Sequence, residues 1–387
     1  MAKKDSFPCY CGSGKAFKSC CKSKVNNYND FVDRTKITNP KYVNNLLKGI
    51  MDRTDFKTCF HPDKKQCKKP IKNAHTLQNN GVLSLLAENN NVIVTDILNK
   101  EIKGTILKPV RKNNATTFYG FCEYHDSTLF SDIENIHYSM DKKQNFLYAY
   151  RCCSQEYHKK LRVIKSLQNT FKKNPGIYNT LGFTENFELQ MLSYKDVESY
   201  MQIFNDALLS KNYDILSSYV YQFDKQYNFA VTAMFNFTVD FKGNVINDIY
   251  STAEERQKSL FATFIPAESK SYFILSWLEE DSSDFKEYID TIKGFDEENL
   301  IIFLNNLFPT YSENIVLSPR LVNLWTPYSK KCFEEIIAGP IGEFSKLISY
   351  QNPFENFESF IKGLEVGNGT NSMTDKPKYD LFKLPNK

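Results

Sequence analysis

The sequence predicts an α+β protein with an antiparallel sheet in its C-terminal half and small cysteine-rich segments in its N-terminal half. Three observations lead to this prediction. Alternate positions from Phe229 to Val239 are apolar, which is the period of a strand. An apolar face recurs at helical spacing from Gln144 to Lys172. The chain has ten cysteines in 387 residues, and seven of them precede residue 123, the first four within thirteen residues.

The first cysteine-rich segment, residues 9–21, holds two pairs of thiols separated by Gly12 and Gly14. Thiolates are soft ligands, and four of them complete a tetrahedral zinc site. A segment this short cannot fold by burying apolar surface, so bound metal would supply its folding energy. The glycines permit a tight turn between the pairs. The pattern therefore predicts a zinc knuckle whose ligands are Cys9, Cys11, Cys20 and Cys21.

Residues 7–22 carry Cys-x-Cys, eight residues and Cys-Cys around an internal Gly-Ser-Gly-Lys, and this pattern resembles the SEC-C motif. That motif is a zinc element found at the end of the Sec translocase ATPase and appended to many bacterial proteins. The resemblance implies the same four ligands, with Cys21 where many members carry His. It also implies that Phe17, Lys15 and Lys18 face outward, and that the element docks on a chaperone or ribosome. An inert structural clip is the alternative.

A second group of metal-ligand residues lies further along the chain. Cys59, His61, Cys67 and His75 form its first part, and a Cys-x-x-His pair at Cys122 and His125 forms its second. The economical interpretation is one zinc held by two ligands from each part. These ligands would be Cys59, Cys67, Cys122 and His125. His61 and His75 stay unassigned, and either could replace His125.

Residues 59–126 are also similar to the treble-clef arrangement of HNH endonucleases, with an Ala-His at the end of a predicted strand and a later Cys-x-x-His before a helix. The resemblance implies that His75 is the general base that activates water. It implies that His125 binds a catalytic divalent metal, Mg²⁺ or Mn²⁺. The middle Asn of the motif would be Asn113 or Asn114. Acidic candidates for a divalent metal, or for offsetting a helix dipole, are Asp126, Asp132 and Glu134.

The order of predicted elements divides the chain into four predicted domains or segments. They are a knuckle at 1–24, a second zinc-binding module with a long helix at 25–175, an α+β domain at 176–363 and a flexible tail at 364–387. Helices are predicted at 25–56, 82–87, after Asp126, at 144–172, 194–223, 283–293, 297–308 and 329–337. Strands are predicted at 91–97, 229–239, 259–265 and 271–277. The acidic run at 279–284 is predicted to be a cap or a solvated loop.

Charge is distributed unevenly along the chain. The net charge is +4, but residues 1–72 hold 17 Lys and Arg against six Asp and Glu, which leaves +11 there and −7 in the remainder. A basic N-terminal part favours partners that carry phosphates. We expect a cytoplasmic location, because the sequence shows neither a membrane-spanning run nor a signal peptide and clusters its cysteines at metal-like spacings.

Two functions fit these patterns. The first is a cytoplasmic bacterial protein with two zinc sites that docks on nucleic acid, the ribosome or a protein partner. The second is an HNH-like nuclease, of the kind bacteria use in antiphage defence, with His75 and His125 as catalytic residues. The sequence carries no dinucleotide fingerprint, kinase motifs or Gly-x-Ser-x-Gly. It does not determine the oligomeric state.

Overall fold

The computed structural model describes residues 7–25, 56–68, 71–96, 104–179, 182–248, 255–337 and 376–385. By its internal contacts the chain divides into two compact units. The first comprises Met1–Lys57 and Glu156–Gln202, and the second comprises Thr58–Gln155 and Ile203–Lys387. The four predicted domains differ from these units in their bounds, and their independence stays a prediction. The helix predicted at 25–56 lies outside the described residues apart from its ends.

The helices are α1 (Lys22–Val25), α2 (Ser84–Leu86), α3 (Glu123–Leu129), α4 (Ser131–Glu134), α5 (Lys142–Lys173), α6 (Phe183–Ser210), α7 (Ser282–Lys293), α8 (Glu297–Tyr311) and α9 (Pro319–Asn323). Residues 327–337 are also helical. The strands are β1 (Ile71–His75), β2 (Asn91–Thr95), β3 (Leu107–Arg111), β4 (Thr117–Cys122), β5 (Leu216–Phe223), β6 (Phe229–Phe235), β7 (Leu260–Ala267), β8 (Lys270–Leu278) and β9 (Ile315–Leu317). In the described part of the chain, no helix carries an apolar stretch that could cross a bilayer.

Helix α5 confirms the long helix predicted from apolar spacing. The side chain of Asp141 accepts hydrogen bonds from the backbone N–H groups of Lys143 and Gln144, at 2.9 and 3.3 Å, which caps the first turn. The helix ends at Lys173, because Pro175 follows two residues later and disfavours helical backbone before it.

The second long helix begins earlier and ends earlier than predicted. Helix α6 ends at Ser210, and Lys211 adopts the left-handed conformation (φ 55°) that often terminates helices. The prediction of helix from 194 to 223 is therefore wrong beyond this point. Strand β5 pairs with β8 along its whole length, from Leu216 opposite Leu278 to Phe223 opposite Ser271. Aromatic and β-branched residues favour the strand here.

The second unit contains a seven-stranded sheet in the order β3-β2-β9-β6-β7-β8-β5, and every neighbouring pair is antiparallel. The α+β class with an antiparallel sheet is thus confirmed. Alternate residues of β6, including Phe229 and Val231, enter a core that also receives Phe285 of α7 and Phe303 of α8. The predicted strands at 259–265 and 271–277 correspond to β7 and β8.

The segment between the two parts of the second Cys/His group contributes two strands to this sheet. Strand β2 pairs with β3 on one side, and Ile93 of β2 lies opposite Leu317 of β9 on the other. Sequence had placed this segment in a compact zinc module. The long insertion leaves β1 and β4 free to pair, with His75 opposite Thr117. A two-stranded sheet therefore joins chain segments that are far apart in sequence.

The end of the chain corrects another prediction. Residues 376–385 lie in the predicted flexible tail, yet Tyr379, Leu381 and Phe382 are buried in the main core. The Tyr379 hydroxyl donates to the carbonyl oxygen of Asn305 at 2.8 Å, and the backbone N–H of Leu381 donates to the Asn305 side chain at 2.7 Å. Apolar burial and these bonds fix the segment. Residues 364–375 of the predicted tail lie outside the described residues.

Candidate metal centres

The structure brings the four sulfurs of the first cysteine-rich segment into one group. The Sγ atoms of Cys9, Cys11, Cys20 and Cys21 all lie within 4.8 Å of one another. Cys20 Sγ is 3.7 Å from both Cys11 Sγ and Cys21 Sγ. Tetrahedral zinc with Zn–S bonds of about 2.3 Å requires S···S separations of about 3.8 Å. The geometry therefore fits a Cys₄ zinc site.

A tight loop places these thiols. The backbone N–H of Cys9 donates to the Lys15 carbonyl at 2.7 Å, and that of Gly12 donates to the Cys9 carbonyl at 2.9 Å. Gly12 and Gly14 have φ of 72° and 74°, a region that residues with a Cβ rarely adopt. The loop thus needs glycine where the sequence supplies it.

The thiols of this group differ in acidity. Burial raises the pKa of Cys9 well above its ordinary value. Burial also acts to raise the pKa of Cys11, but hydrogen bonds involving Ser13 and Cys9 outweigh it and lower the pKa to about 6. Zinc is bound by thiolates, so binding would release protons chiefly from the more basic thiols.

Aromatic packing fixes the knuckle within the first unit. The Tyr10 ring lies 5.0 Å from that of Phe187 and 5.8 Å from that of Phe171, and its hydroxyl donates to Glu188 at 3.1 Å. Phe17 stacks on Tyr178 at 4.8 Å and is only 2% exposed. The expectation that Phe17 faces outward is therefore wrong.

The lysines of the knuckle behave as expected from the SEC-C resemblance. Lys15 and Lys18 are exposed. The aromatic side chains of the segment thus pack inward against its own unit, while the cationic side chains remain at the surface.

The second ligand group consists of three thiols around one imidazole. The Nδ1 atom of His125 lies 3.4 Å from Cys59 Sγ, 3.6 Å from Cys67 Sγ and 3.3 Å from Cys122 Sγ. Tetrahedral zinc with S and N ligands requires S···N separations of about 3.6 Å. The four side chains form one group with all ligand atoms within 4.8 Å, which fits a Cys₃His zinc site.

The hairpin and helix assemble this group. The extended segment before β1 runs beside β4, where the Phe60 N–H donates to the Gly120 carbonyl at 2.8 Å, and this holds Cys59 in place. Cys122 ends β4, and His125 lies in the first turn of α3. The ligands thus come from a loop, from the end of a paired strand and from the first turn of a helix. The arrangement explains why ligands so distant in sequence converge.

His61 lies beside the second group without entering it. Its ring stacks on that of His125 at 3.7 Å, with 6° between the planes. Its Nδ1 accepts a hydrogen bond from the Asp63 N–H at 3.1 Å. Burial and the neighbouring His125 lower the pKa of His61 to about 4, so the ring is neutral near pH 7. Of the alternatives left open by sequence, the structure places His125 among the thiols.

His75 is not among the ligand residues of either group. It ends β1, is partly buried, and its Nδ1–H donates to the Ala115 carbonyl at 3.0 Å. Burial lowers the pKa of His75 below its ordinary value. Within the described ranges, two groups bring ligand atoms of three or more Cys, His, Asp or Glu side chains within 4.8 Å of one another. These are the two zinc-competent groups, and His75 is in neither. Catalytic roles for His75 and His125 stay predictions.

The remaining candidates have structural partners. Asn113 and Asn114 lie in the exposed turn before Ala115, and the Asn113 side chain accepts from Asn79 at 3.1 Å. In the acidic run, Asp281 pairs with Arg256 at 2.8 Å. Three further residues of metal-ligand type, Cys152, Cys153 and His158, are buried on α5.

Sequence reasoning missed Arg151. This side chain is 2% exposed and forms ion pairs with Glu134 and with Asp126. Asp132, the third acidic candidate, pairs instead with Lys143 at 2.5 Å. The available signal was an arginine between the apolar residues Tyr150 and Cys152 of α5, because a buried charge requires partners.

Comparison with known proteins gives no family assignment. No family model, curated protein or solved structure matches the chain. The structure shows two Cys/His groups that fit zinc, and the resemblances to SEC-C and HNH proteins depend on the motif residues alone.

Proposed function

We propose that this is a zinc-stabilised nucleic-acid-binding protein whose N-terminal knuckle contacts the phosphate backbone. One observation carries the proposal. Every charged side chain from Phe7 to Val25 is an exposed lysine, whereas the aromatic side chains of that segment pack within its own unit. The lysines are Lys15, Lys18, Lys22 and Lys24.

In this proposal the zinc ions stabilise the fold and do not take part in binding or catalysis. Each group supplies four protein ligands, and a closed shell of this kind characterises structural zinc sites. Bound zinc would supply folding energy and leave no open position for substrate. The Cys and His residues then serve to hold the loops from which other side chains act.

A second basic segment in the same unit supports a phosphate-bearing partner. Residues 159–173 of α5 contain six Lys and Arg residues and no Asp or Glu. Docking on a protein through Phe17, which the SEC-C resemblance implied, would need that ring at the surface, but Phe17 is buried. Clustered lysines suit the regular negative charge of nucleic acid. The RNA of a ribosome would offer the same chemistry.

Salt dependence tests this function. Fluorescence anisotropy with labelled duplex DNA and single-stranded RNA would measure affinity between 50 and 300 mM salt. If the four knuckle lysines contact phosphates, they alone contribute a slope of about −3.6 in log K against log salt for duplex DNA. Affinity that does not change with salt, or no binding at the lowest salt, would contradict the proposal.

His75 favours a second candidate function, an HNH-like endonuclease of the kind suited to antiphage defence. Its Nδ1–H donates to Ala115, so the neutral ring keeps its lone pair on Nε2. A neutral imidazole at the end of a hairpin strand can accept a proton from water. This candidate would need Mg²⁺ or Mn²⁺.

Plasmid cleavage tests the second candidate. Wild-type protein and His75→Ala would be incubated with supercoiled plasmid and Mg²⁺ or Mn²⁺, after the zinc content of both has been shown to be equal. Cleavage that His75→Ala abolishes would support the nuclease. Two bound zinc ions without cleavage under either metal would exclude it.

A further inference from the structure

The C-terminal segment, residues 376–385, lies in a groove of the second unit. The segment forms no helix or strand, and side chains of the unit bind its main chain. The Asn305 side chain accepts a hydrogen bond from the Leu381 N–H at 2.7 Å, and Trp325 Nε1–H donates to the Asp380 carbonyl at 2.9 Å. The Asn305 amide also donates to the Asp380 carboxylate at 3.1 Å. Recognition of the main chain in this way is typical of a bound peptide.

Apolar side chains of the segment enter the same groove. The Phe382 ring lies 4.7 Å from that of Tyr227, and the Tyr379 ring lies 5.2 Å from that of Phe333. Leu381 is completely buried. The groove thus selects two aromatic side chains that flank an aspartate and a leucine.

A long stretch of chain connects the segment to the preceding helix. Thirty-eight residues lie between Ile337, where that helix ends in the described part of the chain, and Lys376. Fully extended, such a stretch would span more than about 100 Å. The length of the connection therefore does not require the segment to lie in the groove, and the contacts described above determine its position.

The segment leaves part of the groove unfilled. A cavity of about 370 Å³ is lined by Glu297, Glu298 and Ile301 of α8 and by Pro377 and Tyr379 of the segment. Sites for small molecules and side chains commonly have volumes of about 300–1,000 Å³. A peptide with a larger residue at the position of Pro377 would bury more surface here than the chain's own C-terminal segment does.

We propose that this groove is a peptide-binding site for a protein partner, and that residues 376–385 occupy it as an internal competitor. The partner presents a short stretch of aromatic, Asp, Leu and aromatic residues, preceded by an apolar residue larger than Pro377. A tethered segment has an effective concentration of roughly 0.1–1 mM. A second copy of the chain offers only the same segment at lower concentration, so the partner must bind more tightly than the chain's own segment.

Fluorescence anisotropy with a labelled peptide of residues 376–387 tests the proposal. Full-length Leu381→Asp places a charge at a buried position of the internal competitor, and this protein should therefore bind the peptide saturably. Wild type should bind about 10- to 100-fold more weakly, because the tethered segment competes with a peptide whose Kd is about 10 µM. Lys378→Asp places the same charge at an exposed position and should match wild type. Equal affinity in all three proteins, or no binding by Leu381→Asp, would overturn the proposal.

Two changes test whether binding uses the contacts described. Asn305→Ala in the Leu381→Asp protein should weaken binding about tenfold, because the bonds to the peptide main chain are lost. A peptide with Pro377→Trp should bind about tenfold more tightly, whereas Lys378→Trp should have no effect. Unchanged affinity in Asn305→Ala would indicate non-specific apolar binding and overturn the assignment. Equal effects of the two Trp peptides would overturn the part given to the cavity.

A nicked protein decides the case in which Leu381→Asp fails to fold. A protease site introduced at residues 366–372 of the otherwise wild-type chain would be cut after purification, which leaves the segment without its covalent connection. The labelled peptide should then replace the fragment, and the circular dichroism spectrum should be retained. Loss of the fold, or no exchange, would make the segment an integral part of the core and overturn the proposal.

Sedimentation distinguishes a separate partner from a second copy. Wild type and Leu381→Asp should sediment alike across the concentrations used for binding. A dimer of the wild type that Leu381→Asp abolishes would assign the groove to exchange of C-terminal segments between two copies and overturn the separate partner.

Discussion

The two Cys/His groups differ in how the chain brings their ligands together. The first takes four thiols from residues 9–21, whereas the second takes its ligands from residues 59–125 and needs a paired hairpin between them. Closing a short loop has a small entropic cost, and a long segment must be ordered by contacts of its own. The first group is thus a property of one loop, and the second is a property of the folded unit.

The two groups also differ in the structure that surrounds them, which is local for the first and extended for the second. The knuckle is held by the rings around Tyr10, which lie on α5, α6 and the turn between them. The second group is built into the β1–β4 hairpin and α3, beside the buried ring of Phe121. Loss of metal should therefore act locally in the first case and propagate through the hairpin in the second.

The largest expected effect comes from removing one ligand of each group. Cys122→Ser and Cys11→Ser should each reduce the zinc content from two to one. Structural zinc contributes about 10 kcal/mol or more to the folding of small domains, so each affected segment should lose its structure. Hydrogen exchange should rise at Phe121 only in Cys122→Ser. Equal exchange at Phe121 in both variants would show that the knuckle is not a local element.

Removal of the aromatic anchor separates docking of the knuckle from metal binding. Tyr10→Ala should destabilise the first unit by about 3–5 kcal/mol, because a fully buried ring is lost. Tyr10→Phe keeps the ring and loses the bond to Glu188, which should cost about 1 kcal/mol. Urea unfolding would give both values. Zinc content should stay at two in both variants, and loss of one zinc in Tyr10→Ala would contradict a self-contained knuckle.

Replacing the four knuckle lysines with Gln should weaken nucleic-acid binding without affecting zinc content. The salt slope should become shallower by up to about 3.6, since each phosphate contact contributes about 0.9. A matched control replaces four exposed lysines of the second unit, Lys225, Lys242, Lys286 and Lys293. An equal loss in the control would show that net charge, and not the knuckle surface, determines binding.

The smallest effect concerns the turn at Asp240, which contains none of the zinc-competent ligands. Burial acts to raise the pKa of Asp240, but hydrogen bonds from Asn244 and Lys242 outweigh it and lower the pKa. A lowered pKa stabilises the fold above the ordinary aspartate value, and this contribution is lost as pH falls through the folded value. Asp240→Asn should therefore cost about 1 kcal/mol at pH 7 and less at pH 2. A loss that is the same at both pH values would contradict this origin.

Local features of the fold could be predicted from sequence, and distant pairings could not. Cys9, Cys11, Cys20 and Cys21 are recognisable because their spacing alone determines the site. Strand β6 shows its period directly, because apolar residues alternate from Phe229 to Phe235. Strand β5 was mistaken for helix, because its conformation depends on pairing with β8.

The same distinction between local features and distant contacts applies to the candidate sites. Choosing His125 over His61 required the first turn of α3, since the two rings offer the same chemistry and lie stacked together. Arg151 was overlooked because its partners Glu134 and Asp126 come from other helices. The burial of Tyr379 was likewise invisible in a segment rich in lysine and proline.

We infer that the chain forms two closed zinc sites of different composition. Metal analysis combined with zinc X-ray absorption on purified protein tests this composition. The two groups together offer seven sulfur ligands and one nitrogen ligand. They therefore predict two zinc ions per chain, with a mean coordination shell of about 3.5 S and 0.5 N per zinc. Fewer than two zinc ions, or a shell dominated by nitrogen and oxygen at about 2.0–2.1 Å, would contradict the claim.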